Sequence, residues 1–164
     1  MLEILPIEET DFDGILALNE ASVPHVNSIS RAELKILGEQ ACAFIKVEEA
    51  GQLAGLVIAL PPGQHYQSLN YRWFSNRFDK FLYIDRIMVN PEFRRRGVAS
   101  MIYDELARIC KRNGLERLTC EVNIVPPNPG SLALHHEIGF RQVDTQQTDG
   151  GNKEVSLLAK EISG

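Results

Sequence analysis

The sequence predicts an α/β fold in one domain over residues 1–164. β-rich runs and amphipathic helical segments follow one another in the order β-α-α-β-β-β-α-β-α-β-β, which is typical of mixed α/β domains. Two pairs of β-rich runs are joined by short turns that contain glycine, as strands in β-hairpins are. The 164 residues, 44% of them hydrophobic, are enough to bury a core without disulfides or a structural metal.

Charge and cysteine content argue against several functional classes. A net charge of −5 disfavours a nucleic-acid binder. Nowhere do about 18 apolar residues follow one another, and the first residues lack a basic and an apolar leader region, so we expect no membrane segment. The three cysteines, Cys42, Cys110 and Cys120, lie in apolar stretches without metal-ligand spacing. This pattern favours buried thiols in a reducing, cytoplasmic compartment, and we expect no metal site.

The first elements are a strand and two helices. Residues 2–7 form an apolar strand-like run, and Thr10 then begins a helix with acidic residues in its first turn. This helix extends towards Pro24. A second helix is predicted from Ser30, where apolar residues have helical spacing, and Gly38 is expected to end it.

The central region is rich in strands. Residues 41–49 and 53–60 are β-rich and are joined by a glycine-containing turn, which predicts a hairpin. Residues 64–79 contain five aromatic side chains without a clear period, so this segment is either a long ordered loop or an irregular helix. The near-continuous apolar character of residues 80–89 predicts a strand that is buried on both faces.

The second half alternates helices and strands before a final hairpin. From Gly97 apolar residues recur at helical spacing until Gly114, which is expected to stop the helix. Residues 115–125 form the next strand, and a helix over residues 130–138 follows three prolines. The remaining β-rich runs, residues 141–145 and 153–161, predict a terminal hairpin.

Three consecutive arginines precede the helix that starts at Gly97. A helix N-terminus carries a partial positive charge and unpaired N–H groups, so Arg94, Arg95 and Arg96 add to the local positive potential. Gly97 leaves room for a ligand to approach the backbone, and the following amides can donate hydrogen bonds. The segment therefore predicts an anion site, although a solvated basic turn is an alternative.

This segment resembles the acyl-CoA pyrophosphate loop of the GNAT N-acetyltransferase superfamily, whose pattern is Arg/Gln-x-x-Gly-x-Gly/Ala. Arg94, Gly97 and Ala99 match it, and the order of elements is that of the superfamily. The resemblance implies a mixed, mostly antiparallel sheet of about seven strands flanked by four helices, with one parallel crossover after residues 80–89. It also implies that acetyl-CoA is the cofactor. Its implied binding residues here are Met88, Val89, Arg94, Arg95, Arg96, Gly97, Val98, Ala99 and Ser100.

A second segment is similar to the superfamily's Asn-x-x-Ala-x-x-x-Tyr-x-x-x-Gly-Phe element. Asn128 matches the residue that contacts the pantetheine arm, and Ser131 replaces the small residue. His135 stands where the family has the tyrosine that protonates the leaving thiolate. A charged imidazole is a stronger acid than a phenol, so His135 is a candidate general acid. It could instead have only a structural role, and Asn128 before Pro129 also fits a helix N-cap.

Amide formation requires an uncharged amine and hence a base. Asp85 shares one face of its strand with Tyr83 and Ile87, and the resemblance puts the thioester near the end of this strand. Asp85 is the predicted base. An ion pair with Arg86 or Arg72 would explain an acidic residue at this position equally well. Glu121 on the following strand is the second candidate.

The acceptor pocket is predicted from the aromatic segment before that strand. Tyr71, Trp73 and Phe74 are candidate acceptor-binding residues, and His25 and Asn27 after the first helix could reach the same pocket. A lid or a homodimer contact would explain the aromatic residues as well. The sequence thus predicts an N-acetyltransferase that acts on a primary amine of a small molecule or peptide in a ternary complex. The alternative is a non-catalytic acyl-CoA-binding module.

Overall fold

A computed structural model of the chain describes residues 1–162. Strands and α-helices alternate along them, with short 3₁₀ turns at Glu9–Asp11, Pro91–Phe93 and Asp149–Gly151. In chain order the elements are β1 (Glu3–Pro6), α1 (Phe12–Ser22), α2 (Arg31–Gln40), β2 (Ala43–Glu49), β3 (Gln52–Leu60), α3 (Leu69–Ser75), β4 (Phe81–Val89), α4 (Val98–Arg112), β5 (Arg117–Val125), α5 (Pro129–Glu137), β6 (Arg141–Thr148) and β7 (Lys153–Glu161).

The seven strands follow the order β1-β2-β3-β4-β5-β7-β6 in one sheet. β1 with β2, β2 with β3, β5 with β7, and β6 with β7 are antiparallel pairs. β4 and β5 are parallel over Phe81–Tyr83, and α4 forms the connection between them. The mostly antiparallel sheet and its parallel crossover are therefore confirmed. The predicted four helices are one too few, because residues 1–162 contain five.

The chain divides into two compact units. The first comprises Met1–Leu60 and Ile84–Ile109, and the second comprises Pro61–Tyr83 and the chain from Cys110 onward. The single domain over residues 1–164 stays a prediction, and its last two residues lie outside the described chain.

In the first unit, α2 shows how local and tertiary signals combine. Ser30 is the N-cap of this helix, which confirms the predicted start, and it forms a capping box with Glu33. The predicted end at Gly38 is wrong, because the helix continues to Gln40. A Cβ at Gly38 would lie 2.8 Å from the Phe44 ring. The glycine therefore permits close packing of a ring against the helix and does not terminate it.

In the second unit, the aromatic segment that had no clear period contains α3. Ser68 caps this helix by accepting a hydrogen bond from the Tyr71 backbone N–H at 3.2 Å. Tyr71 and Phe74 are buried three residues apart on the same face. With only seven residues, the helix is too short for its period to be recognised in the sequence.

Candidate active site

In the first unit, the arginine loop has a left-handed backbone conformation at two residues. Its φ is +63° at Arg95 and +81° at Gly97. A Cβ at Gly97 would meet nothing within 4 Å, so it is the left-handed φ and not crowding that favours glycine at this position. Alternating negative and positive φ can turn successive backbone N–H groups towards one concavity, which suits an anion.

The N-terminus of α4 adds to this positive potential. The first turn of α4 contains no acidic residue, so no side chain there offsets the helix dipole. The Gly97 carbonyl accepts a hydrogen bond from Met101 N at 3.0 Å. Val98, Ala99 and Ser100 come before Met101, so their backbone N–H groups have no hydrogen-bond acceptor within the helix. These predicted cofactor-binding residues therefore offer N–H donors at one helix end.

The three arginines of the loop differ in their partners. Arg96 donates to Glu49 Oε2 at 2.8 Å and lies 5.0 Å above the centre of the Phe93 ring. This hydrogen bond lowers the pKa of the Glu49 carboxyl. Within residues 1–162, Arg94 and Arg95 are exposed and form no ion pair. The loop thus offers two guanidinium groups to an anionic ligand.

The end of β4 is held close to β3. Asn90 N donates to Ala54 O at 2.8 Å, and Asn90 Nδ2 donates to Leu53 O at 2.9 Å. Met88 is buried and Val89 is half-buried. Asn90 therefore attaches the chain to β3 directly after these two residues, for which the resemblance implies a role in cofactor binding.

Asp85, the predicted base, forms an ion pair. Its Oδ2 accepts a hydrogen bond from Arg86 Nε at 2.7 Å, and its side chain is 4% exposed. The sequence offered Arg86 and Arg72 as partners of Asp85, and the structure shows the ion pair with Arg86. Arg72 instead donates a hydrogen bond to Gln67.

Arg86 also binds the connection between α1 and α2. Its Nη1 donates to Asn19 Oδ1 at 2.6 Å and to the Asn27 carbonyl at 3.1 Å. Asn19 Nδ2 donates to the same carbonyl at 3.0 Å. Asn27 is thereby fixed through its backbone. His25, the other acceptor-binding candidate in this connection, is exposed.

In the second unit, His135 is buried on α5. Its Nδ1 lies 2.7 Å from the Ser131 carbonyl, and its ring packs edge-on against Phe140 at 5.1 Å. Burial lowers the pKa of His135. Because a carbonyl only accepts hydrogen bonds, Nδ1 carries the proton, and in the neutral ring Nε2 is then an acceptor. The neighbouring Ser131, a predicted cofactor contact, is half-buried.

Asn128 occupies the N-cap position of α5, as one of its two predicted roles required. Its side chain forms no capping hydrogen bond. The Asn128 backbone N–H donates to the Asn123 carbonyl at 3.2 Å instead. Pro129 follows at the first helical position, and its fixed φ suits a helix start without a side-chain cap.

Glu121 on β5 accepts a hydrogen bond from the Tyr83 hydroxyl. It is half-buried and lies two residues beyond Thr119, which pairs with Tyr83 in the parallel ladder. Burial, with a smaller contribution from the Glu121 charge, raises the pKa of the Cys120 thiol well above its usual range. Cys120 therefore stays a thiol, whereas Glu121 offers an oriented carboxylate.

The aromatic acceptor candidates lie in and around α3. Tyr71 and Phe74 are buried, with ring centres 5.4 Å and 5.9 Å from that of Tyr83. Trp73 is half-buried under the Arg77 guanidinium at 4.7 Å. Tyr71 also lines a cleft of about 470 Å³. Two of the three candidates thus pack in the core of the second unit, and Trp73 lies nearer its surface.

Among residues 1–162, no group of three or more His, Cys, Asp or Glu side chains is arranged to hold a metal ion. Over the same residues, no helix combines the length and apolar character that a membrane span requires.

Several solved structures share this fold. Ard1 from Thermoplasma volcanium has a TM-score of 0.80 at 14% identity, with 99% of both chains covered. The ribosomal-protein-S18-alanine N-acetyltransferase from Escherichia coli has a TM-score of 0.74 at 19% identity, covering 100% of this chain and 96% of its own. yncA from Salmonella typhimurium, solved with its cofactor acetyl-CoA, has a TM-score of 0.73 at 15% identity, covering 100% and 95%.

The sequence comparisons identify the family. No curated protein sequence matches the chain, but the family model described as acetyltransferase (GNAT) family matches residues 9–140. The cofactor of this family is acetyl-CoA, which carries a negatively charged pyrophosphate. Two exposed guanidinium groups and the amides at the start of α4 fit such a group. The chain therefore belongs to the GNAT family of acetyltransferases.

Proposed function

We propose that this acetyltransferase transfers the acetyl group of acetyl-CoA to the nitrogen of a primary amine on a small molecule or peptide. The observation that carries the proposal is the arginine loop at the start of α4, with exposed Arg94 and Arg95 in a chain of the GNAT family. Acetyl-CoA supplies an acetyl group already activated as a thioester.

The cofactor-binding groups of the first unit are mainly backbone N–H donors. Those from Arg95 to Ser100 bind the pyrophosphate, and Arg94 and Arg95 add charge. The backbone groups of Met88 and Val89 bind the pantetheine arm and polarise the acetyl carbonyl, as an oxyanion site does. In the second unit, Asn128 and Ser131 are the proposed pantetheine contacts. All of these roles are taken from the family resemblance.

Glu121 is the better candidate for the base. The carboxylate of Asp85 already neutralises Arg86 at 2.7 Å and is 4% exposed, so accepting a proton would leave a buried guanidinium without its counter-ion. Glu121 is half-buried, and the Tyr83 hydroxyl orients it. We therefore propose Glu121 as the base, with Asp85 as a positioning residue.

His135 is poorly suited to donate a proton near neutral pH. Burial lowers its pKa, and the Nδ1 proton is directed at the Ser131 carbonyl at 2.7 Å. Nε2 then has no proton to give. We therefore propose that solvent protonates the departing thiolate, and that His135 accepts a hydrogen bond at Nε2.

Direct transfer to the amine is proposed, and an acetyl-cysteine intermediate at Cys110 or Cys120 is disfavoured. A cysteine nucleophile reacts as the thiolate. Cys110 and Cys120 are buried, and the pKa of Cys120 is raised. Neither thiol therefore meets the requirements of a nucleophile.

Thiol release tests the proposal. Purified protein is mixed with acetyl-CoA and, one at a time, spermidine, amino-acid amides and short peptides with free amines, and each N-acetyl product is identified by mass spectrometry. We expect thiol release that depends on one class of amine and is matched by N-acetyl product. CoA binding in calorimetry without turnover on any amine would instead support the acyl-CoA-binding module, which the buried histidine at position 135 leaves as the second candidate.

A further inference from the structure

We infer that Gly55 is a positioning residue for acetyl-CoA, because its lack of a side chain fixes both the end of β4 and the start of α4. A Cβ at Gly55 would lie 2.8 Å from the Met88 carbonyl oxygen and 2.8 Å from Val98 Cγ1. It would also lie 3.5 Å from the Val89 Cα. Contacts as short as the first two do not persist, so one of the two neighbours would have to move.

Space and not backbone conformation requires glycine at this position. The positive φ values of the chain occur at other residues, so a side chain at residue 55 would cause no backbone strain. Glycine inside a strand lowers the stability of the fold relative to alanine. A strand glycine that another backbone approaches closely is the recognised exception. Glycine at position 55 therefore leaves the space that the Met88 carbonyl and the Val98 side chain occupy.

Both neighbours belong to segments that are proposed to hold the cofactor. Met88 lies at the end of β4, where backbone groups are proposed to bind pantetheine. Val98 is buried at 2% exposure and is the first residue of α4, directly after Gly97 in the loop. Gly55 thus lies against residues of two segments that are proposed to bind the cofactor. This inference rests on the cofactor-binding roles given under the proposed function.

The surrounding hydrogen bonds prevent β3 and β4 from simply separating. Asn90 is bonded to the carbonyls of Ala54 and Leu53 at 2.8 and 2.9 Å, immediately before Gly55. An added methyl group must therefore displace the Met88 peptide or the Val98 side chain locally. Displacement of about 1 Å in a binding segment is enough to weaken a positioned interaction strongly.

CoA affinity measured by calorimetry tests the inference on the full chain. We expect Gly55→Ala to weaken CoA binding about tenfold or more. Gly14→Ala is the matched control, because a Cβ at Gly14 would meet nothing within 4 Å on the exposed side of α1. It should bind CoA like the wild type. A folded Gly55→Ala variant with wild-type affinity would overturn the inference.

A second pair of variants covers the case in which Gly55→Ala does not fold. Val98→Ala removes one of the two short contacts, so Gly55→Ala/Val98→Ala retains only the contact with the Met88 carbonyl. We expect this double variant to bind CoA several-fold more weakly than Val98→Ala alone, and equal affinities would overturn the inference. If wild-type protein itself does not bind CoA, the proposed function fails, which is a distinguishable result.

Discussion

Arg86 Nη1 lies 2.6 Å from Asn19 Oδ1, which hydrogen-bonds a buried cation of β4 to a buried amide of α1. Asn19 is fully buried and Arg86 is 8% exposed. The same guanidinium holds Asp85 and the Asn27 carbonyl. One side chain therefore joins the predicted base to the connection that carries the acceptor candidates His25 and Asn27.

Replacing Asn19 should destabilise the first unit. Asn19→Leu has similar volume but removes one acceptor from Arg86 and one donor from the Asn27 carbonyl, so we expect a loss of about 1–3 kcal/mol in the free energy of unfolding. Urea denaturation measures it. Asn19→Asp keeps the acceptor and should lose less. Equal losses for the two variants would show that the Arg86 contact contributes nothing.

Asp85→Asn and Glu121→Gln should have opposite signatures. Asp85→Asn removes the counter-ion of buried Arg86, so we expect it to lower the free energy of unfolding by about 3–5 kcal/mol. Glu121→Gln should leave stability within about 1 kcal/mol of wild type while kcat falls about 10²–10⁴-fold, as for loss of a general base. Denaturation and initial-rate measurements on both variants check this. If instead kcat falls in Asp85→Asn with little loss of stability, and Glu121→Gln keeps its activity, Asp85 is the base.

Gly97→Glu should abolish CoA binding. A glutamate at φ +81° is strained by roughly 1–2 kcal/mol, and its carboxylate adds a repelling charge beside the proposed pyrophosphate site. Gly97→Asn is the control, because asparagine tolerates left-handed φ and carries no charge. We expect it to retain measurable affinity in calorimetry. Wild-type affinity of Gly97→Glu in a folded protein would contradict the anion site.

His135 should make stability depend on pH below neutrality. Its pKa is lowered by burial in the folded state, so the unfolded chain binds the proton more tightly. The stability contributed by neutral His135 is complete above the unfolded pKa of about 6.5 and is lost as pH falls through the folded pKa. His135→Phe should therefore show a smaller decrease in Tm between pH 7.5 and pH 5 than wild type. His136→Phe, at an exposed position, is the control and should keep the wild-type decrease.

Local patterns predicted most of the elements of this fold. The hairpin that pairs Glu49 with Gln52, the start of α2 at Ser30 and the helix after Gly97 each depend on neighbouring residues. α3 was not resolved because seven residues give too few repeats. Gly38 was misread because the Phe44 ring that it packs against lies in another element.

The site was predictable only in part, for the same reason. The arginine loop is contiguous, so its residues could be named together. Asn19 and Gly55 act through contacts with β4, which no local pattern shows. Each gave a weak signal all the same: a polar side chain on the apolar face of α1, and a glycine inside a β-rich run. The sequence left two arginines as possible ion-pair partners of Asp85, and the structure shows that the partner is Arg86.

The burial of the cysteines makes the folded chain nearly unreactive towards thiol reagents. Cys110 and Cys120 are buried, and Cys42 is half-buried. In an assay that detects released CoA with an aromatic disulfide, the folded protein should contribute background from Cys42 alone, and Cys42→Ser should remove it. The two buried thiols then acquire a second use. The two buried thiols react only when the chain unfolds, so their rate of modification in the Cys42→Ser protein measures the rate of unfolding. Saturating CoA should slow this modification if CoA binds the folded state.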